Sequence, residues 1–188
     1  MIEFIETTEK IEKLAHLDAV INKINDLLEQ NPGQKHYHDR IEFWIAGGAV
    51  LSAITDAPTK DYDTYCSNYE LMIERLKGRG VDCNQYEHGL FSHLQIDNKL
   101  IEITSRTFQT PSEILDKYDF TIISAAYDGK ILTYHPRFWQ DVAIKTIQLT
   151  GVNFPVRILM RVIKYTSRGY TPTHETMSEL VRLLSSRK

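Results

Sequence analysis

One stretch, residues 42–66, constrains the fold of this chain more than any other. An apolar run at Phe43–Ala46 ends in Gly47-Gly48, and a second apolar segment follows at residues 49–54. A polar loop then leads to Asp61-Tyr62-Asp63. This order predicts a strand, a glycine turn, a helix and a second strand. The stretch therefore favours a mixed α/β (α+β) fold with two carboxylates on the second strand.

The two aspartates are predicted to lie on one face of that strand, because successive side chains point to opposite sides. Adjacent carboxylates repel each other unless water or a cation compensates them. Mg2+ prefers oxygen ligands and usually keeps substrate phosphates in its shell. Two glycines at a helix start allow backbone N–H groups to approach a phosphate. The stretch thus suggests a metal site beside a phosphate site, although each motif alone is more often a turn or a solvated strand end.

Composition limits the classes of protein to which this chain can belong. The chain has 188 residues, 42% of them apolar and 25% charged, which suits one globular domain or one domain with a small helical extension. Two cysteines, Cys66 and Cys83, do not suggest a disulfide framework or a zinc cluster. The apolar run at residues 43–54 is too short to span a bilayer, and acids and lysines interrupt the N-terminus. We therefore expect a cytoplasmic protein without membrane contact.

Positive charge is concentrated near the C-terminus. The net charge is −3, yet residues 153–188 carry seven Lys or Arg against two acids. Four of the basic residues recur at three- and four-residue steps: Arg157, Arg161, Lys164 and Arg168. On a helix they would form one basic stripe. Such a stripe could contact phosphates, and a solvated helix face is the serious alternative.

The N-terminal segment, residues 1–40, is predicted to be helical because apolar residues recur at three- and four-residue steps. These residues are Ile5, Ile11, Leu14, Leu17, Ile21, Ile24, Leu27 and Leu28. The stripe could pack against the domain or against a second copy, which would make a homodimer. His36 and His38 could ligate a metal, but a solvated loop is the better interpretation.

Further elements follow from periodicity. Residues 69–77 predict a helix, and residues 81–86 a short strand. A hairpin is predicted from Phe91–Ile96 and residues 99–104, joined by Asp97-Asn98. In its second arm Ile101 and Ile103 would face one way and Glu102 the other. Two helices are predicted to end the chain, at residues 155–170 and 173–185.

The order of the first motif resembles a known family pattern. The run Gly47-Gly48-Ala49-Val50-Leu51-Ser52, an eight-residue gap and Asp61-Tyr62-Asp63 are similar to Gly-Gly-x-Val-Arg-Asp, eight residues and Asp-x-Asp. That pattern belongs to the head domain of bacterial-type CCA-adding enzymes and poly(A) polymerases, in the DNA polymerase beta-like nucleotidyltransferase superfamily. Leu51 and Ser52 replace the Arg and Asp of the pattern.

Two later segments extend the resemblance. Residues 117–125, KYDFTIISA, are similar to the family motif Arg-Arg-Asp-Phe-Thr-Ile-Asn-Ala, with Asp-Phe-Thr-Ile intact. Residues 155–170 resemble the helix after the family's Glu-Asp-x-x-Arg, with Arg157 at the arginine and Asn153-Phe154 replacing the acidic pair. In the family this helix reads the incoming base. The resemblance therefore does not imply selection of C and then A in this chain.

The resemblance implies a small, mixed, twisted sheet of the nucleotidyltransferase palm type in residues 41–150. Residues 1–40 would be a helical extension, and residues 151–188 would form basic helices. The implied activity is transfer of a nucleoside monophosphate from an NTP to an acceptor, an RNA or tRNA end in preference to a protein. Asp61 and Asp63 would bind two Mg2+ ions, with Mn2+ as a substitute.

The resemblance also implies roles for further residues. Glu102 could be a third catalytic carboxylate, or a solvent-facing residue on an edge strand. Asp119 could bind the ribose, orient a phosphate-binding base, or cap a helix that begins at Phe120. The candidate contacts to the nucleotide are Gly47, Gly48, Ser52, Lys60, Arg106, Lys117, Asp119, Arg157 and Arg161.

A different class of function stays open at this point. The departures from the family pattern could mean that chemistry is lost while nucleotide or RNA binding is kept. They are Leu51, Ser52, Ile123, Asn153 and Phe154. The intact Asp61-Tyr62-Asp63 argues for catalysis, because a pure binding module gains nothing from two repelling carboxylates.

Overall fold

The computed structural model describes residues 2–29, 40–86, 89–151 and 154–185. The strands are β1 (Ile5–Thr7), β2 (Phe43–Ala46), β3 (Asp61–Cys66), β4 (Asn84–Tyr86), β5 (Phe91–Ile96), β6 (Lys99–Thr107), β7 (Ala125–Tyr127), β8 (Leu132–Tyr134), β9 (Thr146–Ile147) and β10 (Thr171–Pro172). The helices are α1 (Ala15–Glu29), α2 (Gly48–Ile54), α3 (Tyr69–Gly78), α4 (Pro111–Leu115), α5 (Phe138–Ala143), α6 (Pro155–Thr166) and α7 (His174–Ser185).

Eight of the strands form one mixed sheet in the order β1-β8-β7-β2-β3-β6-β5-β4. Within this sheet β3 and β6 pair in parallel, and the other described neighbours pair antiparallel. The predicted α/β fold with a mixed sheet and surrounding helices is confirmed, and the predicted order of strand, glycine turn, helix and strand is found in β2, Gly47, α2 and β3. The sheet is larger than the small one that was expected.

Helices cover the two faces of the sheet with separate apolar clusters. On one face Tyr62 and Ile101 pack in a cluster with residues of α1 and α3, including Leu17 and Met72. On the other face β2 and β7 share a cluster with Phe120 and with residues of α4, α6 and α7. Because side chains alternate along β3, the face opposite Tyr62 is left for the aspartates.

The N-terminal segment differs from the prediction of one long helix. Residues Ile5–Thr7 form a strand that pairs antiparallel with β8 at the edge of the sheet, and the helix α1 begins only at Ala15. Backbone pairing with β8 overrides the apolar periodicity of the first residues. The apolar stripe of α1 is buried against its own domain, which explains the stripe without a second copy. His36 and His38 lie outside the described residues.

The predicted hairpin is confirmed. Strands β5 and β6 pair antiparallel from Ile96↔Lys99 to Phe91↔Thr104, and Asp97 and Asn98 form the turn with φ of 49° and 64°. Positive φ at both turn residues matches a two-residue turn of the type that suits the twist of a hairpin. Strand β6 runs on to Thr107, and β4 is shorter than predicted.

The two C-terminal helices are found as α6 and α7, and α6 ends at Thr166, before the predicted residue 170. Among the described helices, none is long and apolar enough to cross a membrane.

The turn between β2 and α2 requires glycine at position 47. Gly47 has φ of 71°, which L side chains rarely adopt, and its N–H donates to the carbonyl oxygen of Ala125. A Cβ on Gly47 would lie 2.5 Å from the hydroxyl oxygen of Tyr118. Gly48 differs, because a Cβ there would meet nothing closer than 3.9 Å, the Tyr165 hydroxyl.

This difference gives a matched pair of variants. We expect Gly47→Ala to lower the free energy of unfolding by about 2–4 kcal/mol, from backbone strain and the clash with Tyr118. Gly48→Ala should change it by less than about 1 kcal/mol, because helical alanine is favoured over glycine. Thermal and urea unfolding of the two variants measure this, and equal stabilities would contradict the role assigned to Gly47.

Candidate functional site

The aspartates of β3 lie on one face of the strand, as predicted. Asp61 is exposed and Asp63 is partly buried, whereas the intervening Tyr62 is buried on the other side. Strand β6 runs parallel to β3, and Glu102 is the register partner of Asp63. Neighbouring strands lie about 5 Å apart, so Glu102 is beside Asp63. The three carboxylates Asp61, Asp63 and Glu102 therefore share one part of the sheet.

The electrostatics of Asp63 reflect this crowding. Its pKa is raised to about 6, first by burial and then by the negative charges of Glu102 and Asp61. Arg161 and Lys164 oppose the shift, since their positive charges stabilise the carboxylate. A carboxylate with little access to water and two negative neighbours is unfavourable as an uncompensated charge. It is therefore a suitable ligand for a cation.

Glu102 is held by a histidine. Its carboxylate lies 2.7 Å from Nε2 of His93, its register partner on β5. Glu102 lies on an interior strand, between β3 and β5, so the interpretation as a solvent-facing residue on an edge strand is wrong. On the far side of His93 the ring of Tyr86 is stacked at a centroid distance of 4.6 Å and an angle of 18°.

Neither His93 nor Tyr86 is among the residues predicted from the sequence. The signal for His93 was present, because a two-residue turn at Asp97-Asn98 fixes the register of the hairpin and hence the pairing of His93 with Glu102. Tyr86 gave no such signal, since its contact with His93 arises only from the pairing of β4 with β5.

Arg161 of α6 forms an ion pair with Asp119. Asp119 is buried, with 5% of its surface exposed, so this pair holds the guanidinium in place. The interpretation of Asp119 as a helix cap is wrong: the short turn at Thr121–Ile123 is preceded by extended Phe120 and has no side-chain cap. Asp119 pairs instead with a basic residue of α6, and its role in binding phosphate through that residue stays a prediction.

The other members of the basic stripe differ in their contacts. The guanidinium of Arg157 lies 5.7 Å from the ring centroid of Phe154, and that of Arg168 lies 5.6 Å from the ring of Tyr165. Lys164 is exposed, yet its charge acts on Asp63. The stripe is therefore more than a solvated face, because two of its residues act on the carboxylates.

An aromatic wall backs the glycine turn. Tyr118, which stands where the family pattern has an arginine, is buried against Gly47, and its hydroxyl lies 3.1 Å from that of Tyr65. Tyr65 is two residues beyond Asp63 on the same face of β3, and burial together with the charge of Asp63 raises the pKa of its hydroxyl. These rings replace a positive charge with an apolar wall beside the carboxylates.

Four other predicted nucleotide contacts are placed differently from one another. Ser52 is buried and lines a cleft of about 360 Å³ with Tyr62, on the opposite face of β3, so it is turned away from the carboxylates. Lys60 and Lys117 are exposed. Arg106 is also exposed, four residues beyond Glu102 along β6, which is about 13 Å of strand.

The donor set suits a hard cation. Among the described residues, no three His, Cys, Asp or Glu side chains converge as a ready-made metal centre. Mg2+ does not need one, because it is usually bound through one or two carboxylates and completes its shell with water and phosphate oxygens. Asp61 and Asp63 provide such a pair, and the burial of Asp63 favours a cation over a bare charge.

Comparison with known proteins assigns a family. The model of the Gabija anti-defense 2 family matches residues 13–145. The chain belongs to this family. A relative named Gabija anti-defense 2, from Bacillus phage SPbetaL7, is 28% identical over 142 residues, which cover 70% of this chain and 34% of the relative. The chain thus spans about a third of the length of that family member.

Solved structures share the fold of this Gabija anti-defense 2 family chain. The CCA-adding enzyme of Thermotoga maritima in complex with tRNA is 20% identical, with a TM-score of 0.67 over 97% of this chain and 45% of the enzyme. A CCA-adding enzyme in complex with CTP is 18% identical, with a TM-score of 0.69 over 98% and 47%. The expected likeness to CCA-adding enzymes therefore holds for the fold, while the family is Gabija anti-defense 2.

The raised pKa of Asp63 predicts how stability depends on pH. Because the folded protein binds this proton more tightly than the unfolded chain, stability from this group falls as pH rises from about 4 to about 6, and the penalty is complete above pH 6. Asp63→Asn removes that penalty. We expect it to raise the free energy of unfolding by about 1–2 kcal/mol at pH 8 and to lose this advantage towards pH 4.

Thermal unfolding of both proteins between pH 4 and pH 8 measures this difference. Asp26→Asn, on the exposed side of α1, is the matched control and should change stability little at any pH. A loss of stability in Asp63→Asn at pH 8 would contradict the electrostatic account of the site.

Proposed function

We propose that this chain is a nucleotidyltransferase that moves a nucleoside monophosphate from an NTP to an acceptor hydroxyl. The observation that carries the proposal is the parallel pairing of β3 with β6, which puts Glu102 beside Asp63 in a row that also contains Asp61. The fold shared with CCA-adding enzymes supports it by analogy. In the reaction the acceptor oxygen bonds to the α-phosphorus, the bond to the β-phosphate breaks, and pyrophosphate leaves.

Asp61 and Asp63 would hold the Mg2+ ions, for which Mn2+ can substitute. When bound, such ions neutralise the phosphates and lower the pKa of the attacking hydroxyl. Glu102, fixed by His93, would be the third carboxylate of the site. The carboxylates would thus position both substrates, and positioning supplies most of the catalysis in phosphoryl transfer.

The phosphates of the NTP would be bound from the side of α6 and α2. Arg161, oriented by Asp119, would neutralise charge that develops on the leaving pyrophosphate. The Gly47-Gly48 turn carries no side chain, so a phosphate can approach the N–H groups at the start of α2. The rings of buried Tyr118 and partly buried Tyr65 would exclude water on the opposite side.

The acceptor is proposed to be the end of an RNA, with tRNA as one example and a protein as the alternative. The structural neighbours include a CCA-adding enzyme in complex with tRNA and a tRNA nucleotidyltransferase with a primer tRNA and an ATP analogue. The start of α6 presents Phe154 and Arg157, without the acid of the family pattern. We therefore propose that the chain does not select C and then A as CCA-adding enzymes do.

A second candidate function comes from the family. Its name describes counteraction of Gabija, and the outer faces of α6 and α7 carry an exposed apolar surface that suits protein contact. The exposed residues are Val156, Met160, Ile163, Met177 and Val181, at 38–62% of their surface. In this reading the chain acts by binding a defence component, with or without nucleotidyl transfer.

Labelled NTPs test the proposal. The chain is incubated with each NTP, Mg2+ and an extract of total RNA and protein, beside an Asp61→Ala/Asp63→Ala variant. We expect label to move into RNA only with the wild type, because the variant cannot hold the metal. The control Asp26→Asn should keep full activity. NTP or RNA binding without any transfer, unchanged by the double substitution, would favour the binding module.

The ion pair between Arg161 and Asp119 allows a test that separates folding from chemistry. Arg161→Met leaves a buried carboxylate without its partner, and we expect it to cost about 3–5 kcal/mol of stability. Adding Asp119→Asn should restore most of that stability, because the buried charge is gone. Transfer should stay about 100-fold or more below wild type in the double variant, since the cation is still missing.

Unfolding measurements and transfer rates on the three proteins are the readouts. Recovery of transfer together with stability in the double variant would assign the pair a purely structural role.

A further inference from the structure

The carboxylate row continues towards the sheet edge in a way that the proposed chemistry does not use. Asp63, Glu102 and His93 are register partners on β3, β6 and β5. The ring of Tyr86, on the edge strand β4, is stacked on the imidazole of His93. Two carboxylates, an imidazole and a phenol ring thus follow one another across four adjacent strands.

Tyr86 is one of two aromatic residues, among those the structure describes, with more than half of their surface exposed; the other is Phe154 at the start of α6. Tyr86 is exposed over 58% of its surface, whereas Tyr118 and Tyr165 near the glycine turn are buried. One face of the ring lies on His93, and every residue of β4 is exposed. A large aromatic ring with one supported face and one open face is a surface on which a planar group can stack.

His93 fixes the orientation of this surface. Its Nε2 edge is turned to Glu102 at 2.7 Å, so its flat face is presented to Tyr86. Strands are about 5 Å apart, which puts Tyr86 a few strand spacings from Asp63. The three spacings from β4 to β3 add up to about 15 Å, which is more than one nucleotide spans. A strand that stacks a base on Tyr86 can therefore run over His93 and bring its 3′-terminal hydroxyl, one or more nucleotides further on, to Glu102 and Asp63.

The topology divides the site into two sides. Helix α6, which carries Arg161, packs with β2 and β7, on one side of β3. Tyr86 and His93 lie on the other side, beyond β6. Cations on one side suit a triphosphate, and stacked rings on the other side suit a base. The two substrates of a transfer reaction would thus approach the carboxylates from opposite directions.

We propose that Tyr86, supported by His93, seats a base close to the 3′ end of a single-stranded nucleic acid acceptor. The inference rests on the proposed transfer function, which makes the bound strand the acceptor. It adds the chemical class of that acceptor and the residue that holds it. Stacking on an aromatic ring tolerates any base, so the site would recognise a strand end with little sequence preference.

A binding experiment tests the proposal without requiring transfer. The first probe is a short single-stranded RNA with 2-aminopurine two nucleotides before its 3′ end, added to the full chain in the absence of NTP. A second probe carries 2-aminopurine at its 5′ end. We expect wild type and Tyr86→Phe to bind the first probe and quench its fluorescence, because both keep the ring. The second probe should be quenched little.

The decisive variant is Tyr86→Ala. A stacked base contributes about 1–3 kcal/mol, so the affinity should fall roughly 5- to 150-fold. Ile144→Ala, also at an exposed apolar side chain but after α5, should bind as wild type does. In the transfer assay Tyr86→Ala should raise KM for the RNA acceptor and leave KM for the NTP unchanged.

Failure of this inference differs from failure of the proposed function. Equal binding by Tyr86→Ala and wild type, no binding of the 3′ probe, or transfer to a protein acceptor that is unaffected by Tyr86→Ala would each overturn the inference. RNA binding that depends on Tyr86, without transfer of a nucleoside monophosphate from any NTP, would overturn the proposed function. It would still support the stacking site at Tyr86.

Discussion

The parallel pairing of β3 with β6 is the interaction on which the rest of the site depends. It sets Asp63 against Glu102, and the antiparallel pairing of β6 with β5 then sets Glu102 against His93. A shift of one residue in the first register would turn Asp63 and Glu102 to opposite faces of the sheet, and the same shift in the second would separate His93 from Glu102. The hairpin turn at Asp97-Asn98 and the buried Ile101 and Ile103 hold that register.

Electrostatic repulsion is the cost of this arrangement. Three carboxylates are crowded at one place, and burial raises the pKa of Asp63 further. The fold offsets part of the repulsion with Arg161 and Lys164 on α6, and it fixes Arg161 through buried Asp119. A destabilised acidic cluster facing a fixed cation is typical of a functional site, where strain is tolerated for chemistry.

The departures from the family pattern also follow a physical logic. Tyr118 stands in place of an arginine and fills the space above Gly47, so an apolar ring replaces a charge. Phe154 stands in place of an acid and lies against Arg157. Aromatic rings thus replace charged, hydrogen-bonding side chains at both positions. The chain belongs to the Gabija anti-defense 2 family, and it shares its fold with CCA-adding enzymes to which it is 18–20% identical.

Local pattern in the sequence determined the strand, glycine turn, helix and strand around Asp61 and Asp63, the hairpin with Glu102, and the helices α6 and α7. These features depend on periodicity, turn residues and side-chain alternation, which act over a few residues. Tertiary structure alone decided that Ile5–Thr7 joins the sheet edge, that Ser52 faces away from the carboxylates, and that Asp119 binds Arg161. Each of these depends on contacts between residues distant in the chain, which local pattern does not encode.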